Sequence, residues 1–334
     1  MNSPTVSVVI PAYNAEDTIA RAIESVMTQT VDVWEIIVVD DGSTDQTNRI
    51  VGEYKRKLGD RLLLIEQGNH GASAARNTGI NAAGRTYTAF LDADDEYFPD
   101  KLQRQLSLFR RRPDLGLVYS DYSFVDLEGR NHQSAFDEKL LLARAVSSTE
   151  VAGGLHVCDG RFFETLLRGY FIATITGMVR RDVLADNVRF HERISYAEEW
   201  LFYLQVARAT LSGFVNEPLC LHHFTKGSLS RTDRAQNAIG LCEVLHAILE
   251  AFPEMQRSQR RIVQGMLGRA HRQVAYNAGQ SGAHGESARR FLRSFCCQPR
   301  RATLCSAVAA LVRACFAGES HRMKSDKYPV RSST

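Results

Sequence analysis

Four acidic side chains lie directly after a short apolar segment, residues 86–91. They are Asp92, Asp94, Asp95 and Glu96. Carboxylates this close together repel one another, so they reduce stability unless a counter-ion lies beside them. Asp92 and Asp94 are two residues apart, which places both on one side of an extended segment. Oxygen ligands of this kind suit Mg²⁺ or Mn²⁺, which complete their coordination with water and substrate phosphates.

A structural role is the alternative for part of this cluster. Residues 94–100 can form an acidic turn that caps the next helix, with Pro99 in the first turn of that helix. For Glu96 and Asp100, which lie nearest the helix, this alternative is favoured. For Asp92 and Asp94 the cation site is favoured, because two further acidic segments follow strands in the same way.

A second acidic pair, Glu198 and Glu199, lies where a helix is predicted to begin near Tyr196. Ser195 and Glu198 match an S-x-x-E capping box, in which the Glu198 carboxylate accepts a hydrogen bond from the backbone of Ser195. Glu199 then remains free near the positive end of the helix dipole, which favours its ionised form. An ionised carboxylate there can act as a general base. The alternative is that both residues are ordinary first-turn glutamates that stabilise the helix.

Strand and helix patterns alternate around these acids. Continuous apolar runs predict buried strands at residues 6–10, 35–39, 62–65 and 86–91. The first helix between them has apolar residues at Ile19, Ala22, Ile23 and Val26. Successive strand–helix units build a parallel sheet flanked by helices, and ligands bind at the carboxyl ends of the strands. The sequence therefore predicts an α/β fold in which one edge of the sheet carries residues 11–14, 40–45 and 92–96.

Two helix starts are predicted from capping patterns. Asn14 is placed to cap the first helix, and Ser43 with Gln46 forms an S-x-x-Q box before the second. No GxGxxG or GxxxxGK[ST] loop is present in the sequence, which argues against a dinucleotide-binding fold or a P-loop. We therefore expect a bound phosphate to be held through a metal ion.

Composition limits the class of protein. The 334 residues are 44% hydrophobic and 24% charged, which is typical of a soluble globular protein with more than one core. A net charge of +3 is too small to indicate nucleic acid as the main partner. The N-terminus has neither a basic segment nor a long apolar segment, so we expect no signal peptide and a cytoplasmic protein. Seven cysteines without CxxC spacing are expected to be reduced thiols.

Four segments, in this order and at this spacing, resemble family 2 glycosyltransferases of the GT-A fold. They are VSVVIPAYNAEDTIARAIESVMTQ, IIVVDDGSTDQT, GASAARNTGI and FLDADDEYFPDKL. The resemblance is strong over residues 1–125 and continues more weakly to Arg231. The combination is specific, whereas a D-x-D pair alone is a weak signal.

The resemblance implies a nucleotide-sugar site. Pro11, Ala12 and Tyr13 would wrap the base and ribose next to Asn14, and Asp41, with Asp40 beside it, would accept a hydrogen bond from N3–H of uracil or thymine. Arg76 would lie on the nucleotide side of the pocket. The D-x-D motif is Asp92, Ala93 and Asp94; its two aspartates would bind ribose and metal, with Asp95 close by. The alternatives are that Tyr13 only fills a loop, that Asp41 and Gly42 form a turn, and that Arg76 is an exposed solvated side chain.

The resemblance also assigns the second acidic pair. The segment at Glu198 and Glu199 matches the family's E-D-W/Y/F motif, whose second acid deprotonates the acceptor hydroxyl, although here that acid is Glu199 and not aspartate. The family's metal-proximal histidine falls on Thr225. His222 or His223 could replace it, although paired histidines on a strand are as often structural, and Lys226 could contact the diphosphate.

The predicted function is inverting transfer of a sugar from a UDP- or dTDP-sugar to a hydroxyl acceptor, in cell-surface polysaccharide or glycoconjugate synthesis. A divalent cation and Glu199 would assist a single displacement. A nucleotide-sugar hydrolase and a nucleotidyltransferase of related fold are the alternatives. A nucleotidyltransferase usually presents a Gly-rich basic loop after its first strand, where this chain has PAYNAED. A non-catalytic binding module would lack the Glu199 segment.

The domain prediction divides the chain at residue 231. Residues 1–125 would bind the nucleotide sugar, residues 126–231 would form the acceptor side, and residues 232–334 would form a helical extension with a basic tail. Residues 303–317 are largely apolar but too short to span a bilayer. Peripheral association of residues 298–331 with an anionic membrane surface, where lipid-linked acceptors occur, is one hypothesis; a final core helix with a solvated tail is the other.

Overall fold

The computed structural model describes residues 6–31, 35–138, 141–185, 187–224 and 234–325. The chain divides into two compact units, Met1–Leu229 and Ser230–Thr334. Thr225 and Lys226, which the sequence placed near the metal and the diphosphate, lie outside the described residues. The functions assigned to the predicted domains stay predictions.

The first unit is built on one mixed sheet. The strands in the described residues are β1 (Val6–Ala12), β2 (Glu35–Asp40), β3 (Leu62–Glu66), β4 (Tyr87–Phe90), β5 (Glu96–Tyr97), β6 (Leu115–Val125), β7 (Asn131–His132), β8 (Ser148–Ala152), β9 (Leu155–Cys158), β10 (Met178–Arg180) and β11 (Leu211–His223). Their order in the sheet is β3-β2-β1-β4-β10-β6-β11-β9-β8, with β5 paired to β11 and β7 paired to β6.

The four predicted strands are confirmed as β1 to β4. Pairing between β1 and β2, β2 and β3, and β1 and β4 is parallel, and in β1 every residue is buried. Apolar residues fill β1, β2 and β4 because both faces of the sheet are covered there, whereas β3 at the edge of the sheet is only partly buried. The carboxyl ends of β1, β2 and β4 therefore meet at one edge of the sheet, as the sequence predicted.

Nine helices of the first unit cover the sheet or join its strands in the described residues. α1, α2 and α3 each follow a strand, and α4 follows β5. The bounds are α1 (Ile19–Met27), α2 (Thr47–Leu58), α3 (Ala72–Ala82), α4 (Lys101–Arg111), α5 (Ala135–Glu138), α6 (Leu141–Arg144), α7 (Phe162–Leu167), α8 (Arg181–Ala185) and α9 (Glu198–Ala209).

Helix α3 approaches the sheet unusually closely at Gly79. A β-carbon added there would lie 2.2 Å from Cγ1 of Val9 on β1. Only glycine allows this approach without a shift of the helix, because every other residue has a β-carbon. The close packing fixes the helix that carries Arg76 against β1.

The two predicted capping patterns near the first helices are wrong. α1 begins after Thr18 and α2 begins after Gln46, and neither has a side-chain cap hydrogen bond. Asn14 instead adopts a left-handed backbone with φ of 47°, and its side chain accepts a hydrogen bond from the backbone N–H of Thr44. The hydroxyl of Ser43 accepts from the backbone N–H of Asn14 at 2.9 Å. These polar residues join two loops and do not cap helices.

The second half of the sheet brings a long strand to the same region. β10 is antiparallel to β4 and β6, whereas β11 is parallel to β6. The end of β11 pairs with β5, with Cys220 opposite Tyr97 and Leu221 opposite Glu96. This register places His222 and His223 beside the acidic segment that follows β4.

The second unit is helical in its described part. It contains α10 (Arg234–Ala251), α11 (Arg257–Gln280), α12 (His284–Cys297) and α13 (Arg301–Ser325). Consecutive helices pack against each other, as the sequence predicted for a helical extension. None of the helices in the described residues is both long enough and apolar enough to cross a membrane.

Candidate active site

Two loops at the edge of the sheet, after β1 and after β2, are joined by hydrogen bonds. Besides the contacts of Asn14, the Thr47 hydroxyl accepts from the backbone N–H of Ala15 at 2.8 Å, and Asp45 accepts from that of Glu16 at 3.0 Å. Pro11 and Ala12 are buried at the end of β1, and the side chain of Tyr13 is exposed beside them. An exposed aromatic ring on a well-braced loop can stack on a flat ligand such as a nucleotide base.

Asp41 connects β2 with the loop before α3. Its carboxylate is buried and accepts three hydrogen bonds, from Gln67 Nε2 at 2.7 Å, from the backbone N–H of His70 at 2.9 Å and from that of Gly71 at 2.7 Å. The neighbouring Asp40 accepts from the backbone N–H of Ser43 at 3.0 Å. Both acids therefore order the loops at the predicted nucleotide side, and Asp41 does more than form a turn with Gly42.

Arg76 lies between the two acidic segments. Its side chain bridges Asp92 Oδ1 and Glu198 Oε1, each at 2.8 Å, and only 5% of the residue is exposed. Burial lowers the pKa of Arg76, but the two carboxylates outweigh that effect and raise the pKa above its ordinary value. The alternative in which Arg76 is an exposed solvated side chain is therefore wrong. Arg76 is the basic partner that two crowded carboxylates require.

The predicted S-x-x-E capping box is also wrong. α9 begins at Glu198 after Ala197, whose φ is 53°, and no side-chain cap hydrogen bond is made. The Glu198 carboxylate instead pairs with buried Arg76, in a hydrogen bond whose donor and acceptor are both charged. Glu198 therefore belongs to the candidate site and not to the helix cap.

Asp95 is fully buried and faces β11. Its carboxylate contacts His222 Nδ1 at 2.8 Å and accepts from the backbone N–H of His223 at 2.8 Å. Burial lowers the pKa of His222, but the Asp95 carboxylate outweighs this effect, and the pKa is raised. The two histidines, which the sequence left open between structural and ligating roles, thus hold the acidic segment in place.

A second set of contacts holds the same segment from α1. Arg21 donates to the backbone carbonyl of Asp94 at 2.7 Å and forms an ion pair with Glu96 at 3.2 Å. Glu96 also contacts His223 Nε2 at 2.8 Å, so its predicted role in capping the next helix is wrong. Asp100 does occupy the N-cap of α4, although its side chain makes no cap hydrogen bond. No pattern in the sequence indicates this role of Arg21, because the partners it joins are distant in the chain.

Asp94 differs from the acids on either side of it. Within the described residues its carboxylate accepts no hydrogen bond from another side chain. Burial raises the pKa of Asp94 to about 7, and the nearby charges of Asp95 and Asp92 add to the effect. A carboxylate in this state gains more from a nearby cation than an exposed carboxylate does. Its oxygen atoms fit Mg²⁺ or Mn²⁺, which bind one or two carboxylates together with substrate phosphates.

The predicted set of three metal-binding aspartates is not assembled in the described residues. There, no group of three or more His, Cys, Asp or Glu side chains is arranged to hold a metal ion. The physical reason is that Asp95 is occupied by the histidines of β11, and Asp92 Oδ1 is occupied by Arg76. Of the three aspartates, Asp94 is the one whose carboxylate remains available for a cation. Ala93 lies between Asp94 and Asp92 in the sequence.

Glu199 lies one residue beyond the ion pair, in the first turn of α9. Burial raises its pKa to about 8, and the Glu198 charge adds to the shift. The expectation that the helix dipole would keep Glu199 ionised is therefore wrong, because loss of hydration outweighs the dipole. Tyr122 and Tyr170 lie close enough that the Glu199 charge, after the larger effect of burial, raises their pKa values. A carboxyl group with a pKa near the working pH suits proton transfer.

The first part of the chain matches a family model. Residues 7–165 match the model described as glycosyl transferase family 2. A putative teichuronic acid biosynthesis glycosyltransferase, TuaG of Bacillus subtilis, is 29% identical over 232 residues, which are 68% of this chain and 82% of the relative. An uncharacterized glycosyltransferase of Escherichia coli, YibD, is 33% identical over 245 residues, which are 71% of this chain and 67% of the relative.

Solved structures share the fold. Staphylococcus aureus TarS 1–349 in complex with UDP-GlcNAc superposes with a TM-score of 0.65 at 20% identity, covering 96% of this chain and 92% of that chain. A mannosyltransferase from Pyrobaculum calidifontis in complex with GDP-Man and Mn²⁺ has a TM-score of 0.57 at 16% identity, covering 94% of this chain and 87% of that chain. The predicted α/β fold of the GT-A class is confirmed. Together with the family model and the curated relatives, these findings show that the chain belongs to glycosyl transferase family 2.

Proposed function

We propose that this protein transfers a sugar from a UDP- or dTDP-sugar to a hydroxyl acceptor with inversion, in the synthesis of a cell-surface polysaccharide or glycoconjugate. The observation that carries the proposal is the bridge formed by buried Arg76, which joins Asp92 at the end of β4 to Glu198 at the start of α9. This bridge connects the nucleotide side of the site with the segment that carries Glu199. The relatives support the substrate class, since one is named for teichuronic acid and a solved neighbour binds UDP-GlcNAc.

The donor would bind across the loops after β1, β2 and β4. Tyr13 offers an exposed ring to the base, and Asp41 lies at the end of β2, where it would accept from N3–H of a pyrimidine base. Arg76 and Asp92 would lie on the ribose and phosphate side. The full proposed set of donor-binding residues is Pro11, Ala12, Tyr13, Asn14, Asp40, Asp41, Arg76, Asp92 and Ala93.

A divalent cation, Mg²⁺ or Mn²⁺, belongs to this proposal. Asp94 would hold it, assisted by Asp92 and with Asp95 behind them, and the donor diphosphate would complete the coordination. When bound, the cation would neutralise negative charge that develops on the leaving diphosphate. The Mn²⁺ in the complex of the mannosyltransferase supports this cofactor class. The contacts of Asp95 with β11 give it a positioning role rather than a direct one.

Glu199 would act as the general base, with Glu198 holding Arg76 next to it. The acceptor hydroxyl would transfer its proton to Glu199 while its oxygen forms a bond to the anomeric carbon. The bond from that carbon to the diphosphate oxygen would break, and its electron pair would stay on the leaving group. A base opposite the leaving group gives inversion in one step. Because the pKa of Glu199 is about 8, the rate of sugar transfer should rise with pH up to that value.

We also propose that the protein works in the cytoplasm and associates peripherally with the inner face of the membrane through residues 298–331. A lipid-linked saccharide acceptor would be found at that surface. The basic character of the C-terminal sequence supports this part of the proposal, because anionic lipids attract clustered Arg and Lys.

A panel of nucleotide sugars tests the reaction. The purified chain is incubated with UDP-, dTDP- and GDP-sugars, with Mn²⁺ or with chelator, and released nucleoside diphosphate and free sugar are measured with and without saccharide acceptors. We expect cation-dependent release from a UDP- or dTDP-sugar, with the sugar recovered on the acceptor. Quantitative recovery as free sugar even with acceptors present would indicate a hydrolase. Formation of a nucleotide sugar from a nucleoside triphosphate would indicate a nucleotidyltransferase.

A further inference from the structure

The last helix, α13, presents its large apolar side chains to solvent. Leu304, Val308, Leu311 and Val312 are between 41% and 53% exposed. Their spacing along the chain places these four side chains on one face of the helix. We call these four residues the outward stripe. An amphipathic helix of a soluble domain normally places such a face in the core.

The opposite face of α13 carries small residues and packs within the unit. Thr303, Ala307 and Ala310 are buried, and α13 packs against α12. The helix thus buries its smaller side chains and exposes its larger ones. The alternative from the sequence, a final core helix, predicts the reverse arrangement and is wrong for residues 301–315. A contiguous exposed apolar face of this kind marks an interaction surface.

Charge around the outward stripe indicates the class of partner. Thirteen Arg and Lys but only two acidic residues lie between Arg257 and Lys324. Arg300 and Arg301 lie at the start of α13 beside the stripe and are exposed, and Arg313, also exposed, lies next to Val312 in the sequence but on another side of the helix. A second copy of the same surface would bring these charges against one another, which is unfavourable. An anionic lipid surface complements both the apolar face and the arginines.

We propose that the outward stripe of α13 inserts into the interface of an anionic bilayer, with the helix lying in the membrane plane. This inference rests on the peripheral association proposed above and names the face that makes it. The arginines would extend their apolar stems along the bilayer surface and keep their guanidinium groups among the lipid phosphates. The helix does not need to span the membrane, in line with the lack of a spanning helix in the described residues.

The test uses the full chain and sedimentation with vesicles. One set contains equal parts phosphatidylglycerol and phosphatidylcholine, and the other contains phosphatidylcholine alone. We expect the protein to bind the anionic vesicles more strongly than the neutral ones, and less strongly at high salt. Leu304→Gln/Leu311→Gln should lower the partition coefficient by at least about tenfold, because two leucines lose their burial in lipid. The matched control is Leu63→Gln/Leu127→Gln, which changes two leucines of the first unit that are each 37% exposed and should bind as the unaltered protein does.

Three results would overturn the inference. The first is equal vesicle binding by the Leu304→Gln/Leu311→Gln variant and the unaltered chain, and the second is no vesicle binding by either. The third is a dimer in light scattering that this variant converts to monomer, because a second copy would then cover the stripe. Calorimetric binding of UDP to the same variants separates the two proposals. Retained UDP binding with no vesicle binding rejects the membrane face alone, and vesicle binding without UDP binding rejects the proposed donor site alone.

Discussion

At the level of single residues, the site contains two adjacent glutamates whose surroundings differ. Glu198 forms an ion pair with buried Arg76, whereas the pKa of Glu199 is raised to about 8 by burial and by the Glu198 charge. The Arg76 guanidinium thus pairs with Glu198 and not with Glu199. With a pKa of about 8, Glu199 is protonated through much of the neutral pH range. A base of this kind is strong when it ionises, which is the property that removal of a hydroxyl proton requires.

Replacement of the two glutamates should give different kinetic results. Glu199→Gln should lower kcat by at least about a hundredfold with little change in donor affinity, because the amide cannot accept the proton. Glu198→Gln should weaken donor binding instead, because it removes one of two carboxylates that position Arg76. Steady-state kinetics and calorimetric titration with the donor check both. A larger loss of kcat in the Glu198 variant would mean that the two roles are reversed.

The second residue-scale prediction concerns Asp94. Asp94→Asn should abolish turnover and weaken cation-dependent donor binding, while thermal unfolding shows an intact fold, because the residue lies at the edge of the sheet. Asp60→Asn, a change of an exposed aspartate, is the matched control and should leave both quantities unchanged. Full activity of the unaltered protein in excess chelator would contradict the cation-based role of Asp94.

At the scale of elements, the site requires α1, α3, α9 and β11 to meet the end of β4. Arg21 of α1 and His223 of β11 both contact Glu96, and Arg76 of α3 joins Asp92 to α9. These contacts explain why the acidic segment keeps its shape despite its charge, since within the described residues the side chain of each acid except Asp94 has a hydrogen-bonding partner on a neighbouring element. Rigid elements that carry such contacts hold a site more accurately than loops do.

Close packing of α3 on β1 gives a prediction at this scale. Gly79→Ala should destabilise the protein by about 1–3 kcal/mol, because the new β-carbon would lie 2.2 Å from Val9 Cγ1 and force a shift. Gly52→Ala in α2 is the control. No atom lies within 4 Å of its added β-carbon, so the change should be neutral or stabilising by up to about 1 kcal/mol. Chemical denaturation measures both, and equal effects of the two substitutions would contradict the packing argument.

At the scale of the whole molecule, charge is divided unevenly between the two units. Ser230–Thr334 contains seventeen Lys and Arg and seven Asp and Glu, although the net charge of the chain is only +3. Met1–Leu229 is therefore acidic overall. The acidic unit carries the candidate active site, and the basic unit carries the outward stripe of α13. Separation of this kind suits a protein whose C-terminal part approaches an anionic surface.

Stability of the whole protein should depend on pH through the half-buried acid Glu199. Its pKa is raised from an ordinary 4.5 to about 8, so between these values the folded state holds a proton that the unfolded state has lost. Stability from this group is complete below pH 4.5 and falls as pH rises toward 8. Glu199→Gln should therefore raise the thermal midpoint relative to the unaltered protein above pH 8 and have little effect below pH 4.5.

The control for this prediction is Glu250→Gln, which changes an exposed glutamate of α10. It should leave the pH dependence of the thermal midpoint unaltered. Thermal unfolding at a series of pH values, followed by circular dichroism, measures both variants. A Glu199→Gln variant that follows the pH profile of the unaltered chain would show that burial does not raise the pKa of Glu199.

Much of the fold could be predicted because its signals are local. Apolar runs for β1 to β4 and helical spacing for α1 follow from which side chains a central sheet and its covering helices must bury. The capping predictions failed for a common reason. Asn14, Ser43 and Glu198 each have a capping-competent side chain, but partners that are distant in the sequence compete for it. A capping bond contributes only about 1 kcal/mol. It is therefore lost where the side chain forms an ion pair, as Glu198 does, or bonds to a neighbouring loop, as Asn14 and Ser43 do.

The α/β class, and the edge of the sheet at which the polar residues meet, follow from the order of residues in the chain. Strand ends and their acids are adjacent in the chain, so the direction of parallel strands suffices to bring them together. The state of each acid, in contrast, depends on contacts between distant parts of the chain. Arg76 forms ion pairs with Asp92 and Glu198, and His222 contacts Asp95. Burial raises the pKa values of Asp94 and Glu199. The exposure of the outward stripe of α13 also depends on tertiary packing. Helical spacing defines a face of the helix, but packing against neighbouring helices determines which face is buried. Desolvation and charge pairing likewise depend on the complete set of neighbours in space.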